Sequence, residues 1–222
     1  MPFWSYILTA LAAYLIGSIP TGFLVAKAKG VDIRAVGSGN IGATNAMRVL
    51  GKPAGIYVMI VDCAKGFIAC VLAAIYFDYC VPGPDYFDDA YWVLSKRLMV
   101  IAGIFAVLGH NYTCWLKFKG GKGIATTAGV YLALAPAALG IALAVFIVAV
   151  LTTRYVSVGS ISAAIAVSAA VWILPPHNLL LGIVTTALGA LAVYKHKSNI
   201  QRLMAGTENR LGRKSQPSEE KK

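Results

Sequence analysis

Two stretches of this chain set glycines and small polar residues where backbone amides can converge on one anion. The first, Gly37-Ser38-Gly39-Asn40-Ile41-Gly42-Ala43-Thr44-Asn45-Ala46-Met47-Arg48, holds hardly a side chain to bury. Glycines let successive N–H groups turn toward a common point, and a helix starting there adds the positive end of its dipole. Phosphate is the natural guest of such a nest. Ser38, Asn40, Thr44 and Asn45 add neutral hydrogen-bonding groups, and if a helix begins near Gly42, Arg48 lies one turn beyond Thr44 and supplies positive charge. The second stretch, Lys119-Gly120-Gly121-Lys122-Gly123-Ile124-Ala125-Thr126-Thr127, repeats the pattern. Lys122 falls at the N-terminus of an apolar helix, where the dipole disfavours a cation unless an anion joins it. Lys117 and Lys119 read instead as side chains that snorkel to lipid headgroups.

The first stretch is not read as a nucleotide site. Gly37, Gly39 and Gly42 fit the dinucleotide fingerprint and Asp62 follows at the distance of its acidic partner, but that fingerprint needs strands where this chain has apolar membrane segments. The same glycines imitate a P-loop, yet Ala43-Thr44 stand where its lysine and hydroxyl should be. Beside the anion reading stands a plainer one, a turn at the membrane surface whose small residues serve helix packing.

Two more polar segments follow, Arg154-Tyr155-Val156-Ser157-Val158-Gly159-Ser160 and the run from His196 to Asn209. Ser157 and Ser160 are spaced to share a helix face, as an N-cap or as ligand contacts. His196 precedes Asn199 and Arg202 at helical spacing, company suited to a phosphate or proton role, whereas His110 reads equally as structural. Asp62 and Lys65, at i and i+3 within an apolar run, would each cost about 2.5–3.5 kcal/mol at mid-membrane, so they face the bundle interior. A structural pair and a cavity wall both remain open for them. Acids on this side are scarce (Asp32, Asp62, Glu208, Glu219 and Glu220), with no paired-carboxylate motif and no HxxH. Metal catalysis is therefore not expected, nor is any cofactor.

The elements that carry these segments are membrane helices. A mean hydropathy of +0.70 with 13% charged residues places the chain among integral membrane proteins. Apolar runs cover 3–26, 54–77, 98–108, 124–151, 158–174 and 179–193, against about 20 residues needed per crossing. The first has no basic residue ahead of it and no cleavage pattern, so it reads as a retained helix. The run 124–151 would make one helix of about 42 Å, too long for a core of about 30 Å. Pro136 divides it into a hairpin of short helices, 124–135 and 137–151, with a re-entrant pair as a variant of the same sidedness. The net charge of +11 suits a membrane protein rather than a nucleic-acid binder once its distribution is considered. Asp78, Asp85, Asp88 and Asp89 outweigh Lys96 and Arg97 in one segment, while the remaining bases lie in the other loops and the tail. By the positive-inside rule the acidic segment is outside and the polar segments are cytoplasmic. The expectation is an all-α bundle of about seven transmembrane helices, N-terminus out and C-terminus in, with outer turns at Pro82-Gly83-Pro84 and Pro175-Pro176. Residues 1–212 form one domain and 213–222 a disordered tail. Cys63, Cys70, Cys80 and Cys114 show no CxxC spacing and read as small apolar residues.

Taken together, GSIPTGFLVAK, GSGNIGATNAMRVLGK, GHNYTCWLKFKGGKGIAT, TRYVSVGS and HKSNIQRLMAGTEN resemble the PlsY family of bacterial acyl-phosphate:glycerol-3-phosphate acyltransferases. The resemblance implies transfer of a fatty acyl group from acyl phosphate to the 1-position of glycerol 3-phosphate in the bacterial inner membrane, without metal or cofactor. Its partners would be those two substrates and the bilayer; a monomer is expected apart from the resemblance, which does not set the oligomeric state. It implies glycerol-phosphate binding by Ser38, Arg48 and Lys122, with Gly39, Asn40, Gly42, Thr44 and Asn45 shaping the first loop and Gly120, Gly121, Gly123 and Thr126 the second. Ser160, His196 and Asn199, with Lys122, are then the catalytic residues. A transporter or flippase for an organic phosphate is the competing reading, although such proteins place their site near the midplane between related repeats.

Overall fold

The computed structural model describes residues 1–80 and 89–212. The outer turn Pro82-Gly83-Pro84, the acids Asp85 and Asp88, and the tail from residue 213 lie outside the described residues. Among the described residues ten helices are formed: α1 (Phe3–Ser18), α2 (Thr21–Ala28), α3 (Ala43–Leu50), α4 (Lys52–Cys80), α5 (Asp89–Asn111), α6 (Ile124–Leu134), α7 (Pro136–Thr153), α8 (Val156–Ile173), α9 (Leu179–Lys195) and α10 (Lys197–Met204), with one 3-10 turn at Cys114–Leu116. Among the described residues the stretches Phe3–Ala28, Lys52–Cys80, Val93–Leu116, Pro136–Thr153 and Val156–Ile173 are long and apolar enough to cross a membrane, and α9 with α10, a pair bent by 52°, would make a sixth. We read α9 as the span and α10 as lying along the face. With 11 residues, α6 reaches only about 16 Å, short of a core of about 30 Å.

The first apolar run is not one helix. Pro20 has no N–H to give the preceding turn and its ring clashes with it, so the helix stops at Ser18 and restarts at Thr21. Carbonyls freed at such a break inside an apolar bundle must find donors. Lys65 supplies them: its Nζ donates to the Gly17 carbonyl at 3.2 Å and the Ile19 carbonyl at 2.8 Å. The run 124–151 does divide into two helices, but Pro136 opens α7 at its first position, where a missing N–H costs nothing. The second helix consequently extends beyond the expected 137–151 at both ends, and Arg154 closes it in the left-handed conformation, φ 62°.

Helices in lipid gain little from the hydrophobic effect and associate through close packing of small residues. Between α1 and α5, a Cβ added to Gly17 would stand 2.1 Å from the Ala106 carbonyl oxygen, and one on Gly109 would stand 2.2 Å from that of Tyr14. Between α4 and α6, Gly66 and Gly129 play the same part against Thr126 and Cys63. Outward, Ile147, Val148 and Leu151 of α7 are exposed, the face expected to meet acyl chains.

Candidate active site

All the polar segments singled out in the sequence reach one cavity of about 740 Å³ at one end of the bundle. Each arrives on a different element. Ser38, Asn40, Gly42, Thr44, Asn45 and Arg48 come from the first loop and α3, Lys122 and Gly123 from the start of α6, Ser157 and Ser160 from α8, and His196, Asn199 and Glu208 from the end of α9 onward.

The first loop is shaped by two asparagines that fold back on it. Asn45, 1% exposed, accepts from the Ser38 N–H at 2.9 Å through Oδ1 and donates through Nδ2 to the carbonyls of Ile33 and Val36. Asn40 Oδ1 accepts from the Gly42 N–H at 2.8 Å. Gly37 must be glycine here: its φ is +65°, and a Cβ would stand 2.3 Å from Asn45 Oδ1. In the second loop the N–H groups of Gly120 and Gly121 donate to the carbonyls of Asn111 and His110, which fastens the turn to the end of α5. Gly123, φ +79°, turns the chain into α6 and leaves Lys122 at the helix N-terminus.

These bonds correct one expectation. The amides of Ser38, Gly39, Gly42, Gly120 and Gly121 are all taken by acceptors within the protein, so they do not form an open nest. Short polar side chains and neighbouring carbonyls satisfy them first. Gly39, Gly120, Gly121 and Thr126 are not on the cavity wall; Thr126 is wholly buried on α6 against α4.

At the polar end a continuous chain of hydrogen bonds joins three elements. Lys122 Nζ donates to Asn199 Oδ1, and Asn199 Nδ2 donates to Glu208 Oε1 at 2.8 Å. Glu208 also accepts from Ser157 Oγ at 3.1 Å and from Arg202 Nε at 2.7 Å. Ser157 is thus not a helix cap; it stands on the cavity wall as a donor to Glu208. Ser160 Oγ donates to the Val156 carbonyl at 2.9 Å, which leaves its lone pairs available. His196, just past the end of the α9 span, donates from Nδ1 to the Ala192 carbonyl at 2.7 Å. A carbonyl only accepts, so the ring proton sits on Nδ1 and Nε2 keeps a free lone pair.

Positive charge exceeds negative here. Burial, and then Arg202, push the Lys122 ammonium down to about 8, with Glu208 opposing and Arg48 and Lys195 adding to the fall. Burial also lowers Arg48, and burial followed by Lys122 holds His196 down at about 4. Glu208 goes the other way: desolvation pushes it up, but the bonds from Asn199 and Arg202 outweigh this and keep it below the usual carboxylate range. Lys122 and Arg48 gain from any anion that enters.

Sequence reasoning left Glu208 and Arg202 out of the site. The available signal was that Glu208 is a lone acid within a strongly basic segment, where a solvated acid has no evident use. Asp62 and Lys65 form a buried pair at 2.7 Å, and Asp62 and His110 also reach the cavity wall.

Fold and site define a polytopic helical membrane protein with a cationic cavity between its helices. A family model described as glycerol-3-phosphate acyltransferase matches residues 7–206, and the chain belongs to that family. It is 50% identical to the glycerol-3-phosphate acyltransferase of Geobacter metallireducens, covering 92% of this chain and 97% of that one. With the Geobacter sulfurreducens protein of the same name it shares 48% identity over 92% and 96% of the two chains. Among solved structures, a crystal structure of PlsY, an integral membrane glycerol 3-phosphate acyltransferase in its glycerol 3-phosphate form, superposes with a TM-score of 0.82 at 38% identity, covering 94% of this chain and 96% of that one. The lysophosphatidic acid form gives a TM-score of 0.79 at 36% identity, with the same coverage.

Proposed function

We propose that this cavity transfers a fatty acyl group from acyl phosphate to the 1-hydroxyl of glycerol 3-phosphate, on the cytoplasmic face of the inner membrane. The products are 1-acylglycerol 3-phosphate (lysophosphatidic acid) and inorganic phosphate, the first acylation step of phospholipid synthesis. The observation that carries this reading is the two-sided character of one cavity: Lys122, Arg48 and His196 at its polar end, and Met59, Phe67, Leu139, Leu143, Phe146 and Leu188 along the rest. A soluble dianion and an amphiphile with an acyl tail can meet there, each in its own medium.

Arg48, Lys122 and Ser38 hold the phosphate of the acceptor, and Ser160, His196 and Asn199 surround the reacting atoms. The hydroxyl oxygen bonds to the acyl carbon, the carbon–oxygen bond to the donor's phosphate breaks, and phosphate leaves with that bond's electron pair. His196 Nε2 accepts a hydrogen bond from the hydroxyl and orients it. With its ring held near 4, His196 is a weak base, and a substrate phosphate is the better final acceptor of the proton. Acyl phosphate is already activated, so proximity and charge neutralisation are the enzyme's main tasks.

Purified protein in detergent tests this directly. Supplied with acyl phosphate, it should release phosphate and form 1-acylglycerol 3-phosphate in equal amounts only when glycerol 3-phosphate is present. Absence of product, together with concentrative uptake of organic phosphate by vesicles, would replace the enzyme with a transporter.

A further inference from the structure

The buried charges on α4 have no place in the chemistry above. Lys65, 4% exposed, lies where three elements meet. Its Nζ pairs with Asp62 Oδ1 at 2.7 Å, donates to the Gly17 and Ile19 carbonyls at the α1–α2 break, and approaches His110 Nδ1 at 3.3 Å. When Nδ1 of the neutral ring accepts from the ammonium, the ring proton is on Nε2. That atom lies directly under the second glycine loop: a Cβ on Gly121 would stand 2.0 Å from it. The Gly121 N–H in turn donates to the His110 carbonyl at 3.0 Å. The α1–α2 break is stitched to the same place, since Thr113 Oγ1 donates to the Ser18 carbonyl and Tyr14 OH to the Tyr112 carbonyl.

We infer that Lys65, with Asp62 and His110, is a positioning cluster that sets the two loops at their working separation. On one side it holds the break that redirects the chain into α2 and toward the first loop, which carries Ser38 and Arg48. On the other, the His110 ring supports the turn that carries Lys122. A charge in this position is costly to bury, and an apolar bundle could be built without it. What an apolar side chain cannot do is donate to the carbonyls of a helix that ends inside the bundle while also fixing an imidazole beneath a loop. The inference rests on the proposed site only in that the two loops jointly hold one phosphate.

The test separates substrate positioning from general stability. Asp62→Leu combined with Lys65→Met removes both charges together, leaving no uncompensated ion. This variant is expected to raise the KM for glycerol 3-phosphate about tenfold or more, with the KM for acyl phosphate changing less than about threefold. Unchanged KM values, or an equal rise in both, would overturn the inference. Ser38→Ala and Arg48→Ala in the same assay report separately on the phosphate site, so failure of that reading shows itself there and not in the α4 variant.

A second experiment does not depend on how the α4 variant folds. Gly121→Ala should impair the enzyme because its methyl group meets the His110 ring, and adding His110→Ala should restore part of the lost glycerol 3-phosphate affinity. Losses that add or compound in the double variant would mean that ring and loop are not coupled, and the inference would fall.

Discussion

Among the described residues two clusters of charge lie within this bundle, and they are built on opposite plans. Around Lys65 the positive charge is closed off: one carboxylate, two carbonyls and an imidazole nitrogen surround the ammonium. Around Lys122 the arrangement stays open. Among the described residues Glu208 is the one carboxylate beside Lys122, Arg202 and Arg48, and it accepts from Ser157 and Asn199 as well as Arg202. A closed cluster fixes geometry; an open one with surplus positive charge is completed by a ligand. The closed cluster is also the more deeply buried, and the balance of charges and acceptors says why the two differ.

The largest expected effects follow from emptying the open cluster. Lys122→Ala removes both the charge and the donor to Asn199, and should lower kcat/KM for glycerol 3-phosphate about 10³-fold, measured by product formation. Asn199→Ala unties Lys122 from Glu208 and should cost about 10²-fold, with most of the loss in kcat. A Lys122→Ala enzyme with nearly normal kinetics would make the two clusters alike in kind and remove the contrast.

Protonation sharpens the comparison. Lys122 is held down at about 8, so its ammonium is present below that value and lost as pH rises through it. The phosphate of the substrate has its second ionisation near about pH 6. Affinity for glycerol 3-phosphate should therefore be greatest between about pH 6 and 8, and KM should rise toward tenfold per pH unit above that window. Bound dianion shifts the ammonium upward again, so kcat should keep its value to higher pH than kcat/KM. In Lys122→Arg the guanidinium stays charged throughout, and the alkaline rise in KM should disappear even where overall activity is lower.

Much of this was legible in the residues themselves. The polar segments, the helix starting after Gly42, the placement of Lys122 at the head of α6 and the division of the run at 124–151 are all local consequences of glycine, proline and apolar spacing. What could not be read depends on partners distant in the chain. A glycine pattern shows that a backbone can turn but not whose carbonyl will take its N–H; those of Gly120 and Gly121 went to α5. The interruption at Pro20 needed Lys65 to satisfy the freed carbonyls, a contact 46 residues away from Ile19. Glu208 could be read only as one of a few acids on this side; that Asn199, Arg202 and Ser157 surround it is set by the fold.

Glu208 therefore supplies a graded test within the open cluster. Glu208→Gln keeps the shape but replaces an acceptor with an amide N–H₂ facing donors, which should lower stability by about 1–3 kcal/mol and activity about tenfold. It should also leave Lys122, Arg202 and Arg48 with no carboxylate, driving the Lys122 ammonium further down and moving the alkaline limb of the KM profile to lower pH.

Ser157→Ala should have the smallest effect. Glu208 Oε1 accepts from Asn199 as well as from Ser157, so deleting the hydroxyl leaves that oxygen with a partner. The loss should be about 0.5–1.5 kcal/mol of stability, with kcat within about threefold of the parent. Ser160, one turn along the same helix, is the contrasting case: its hydroxyl donates only to its own helix, so Ser160→Ala costs the fold little and should act on kcat instead. If the two serines exchanged these signatures, with Ser157→Ala the catalytic defect and Ser160→Ala the structural one, then Glu208 rather than His196 and Ser160 would face the reacting hydroxyl.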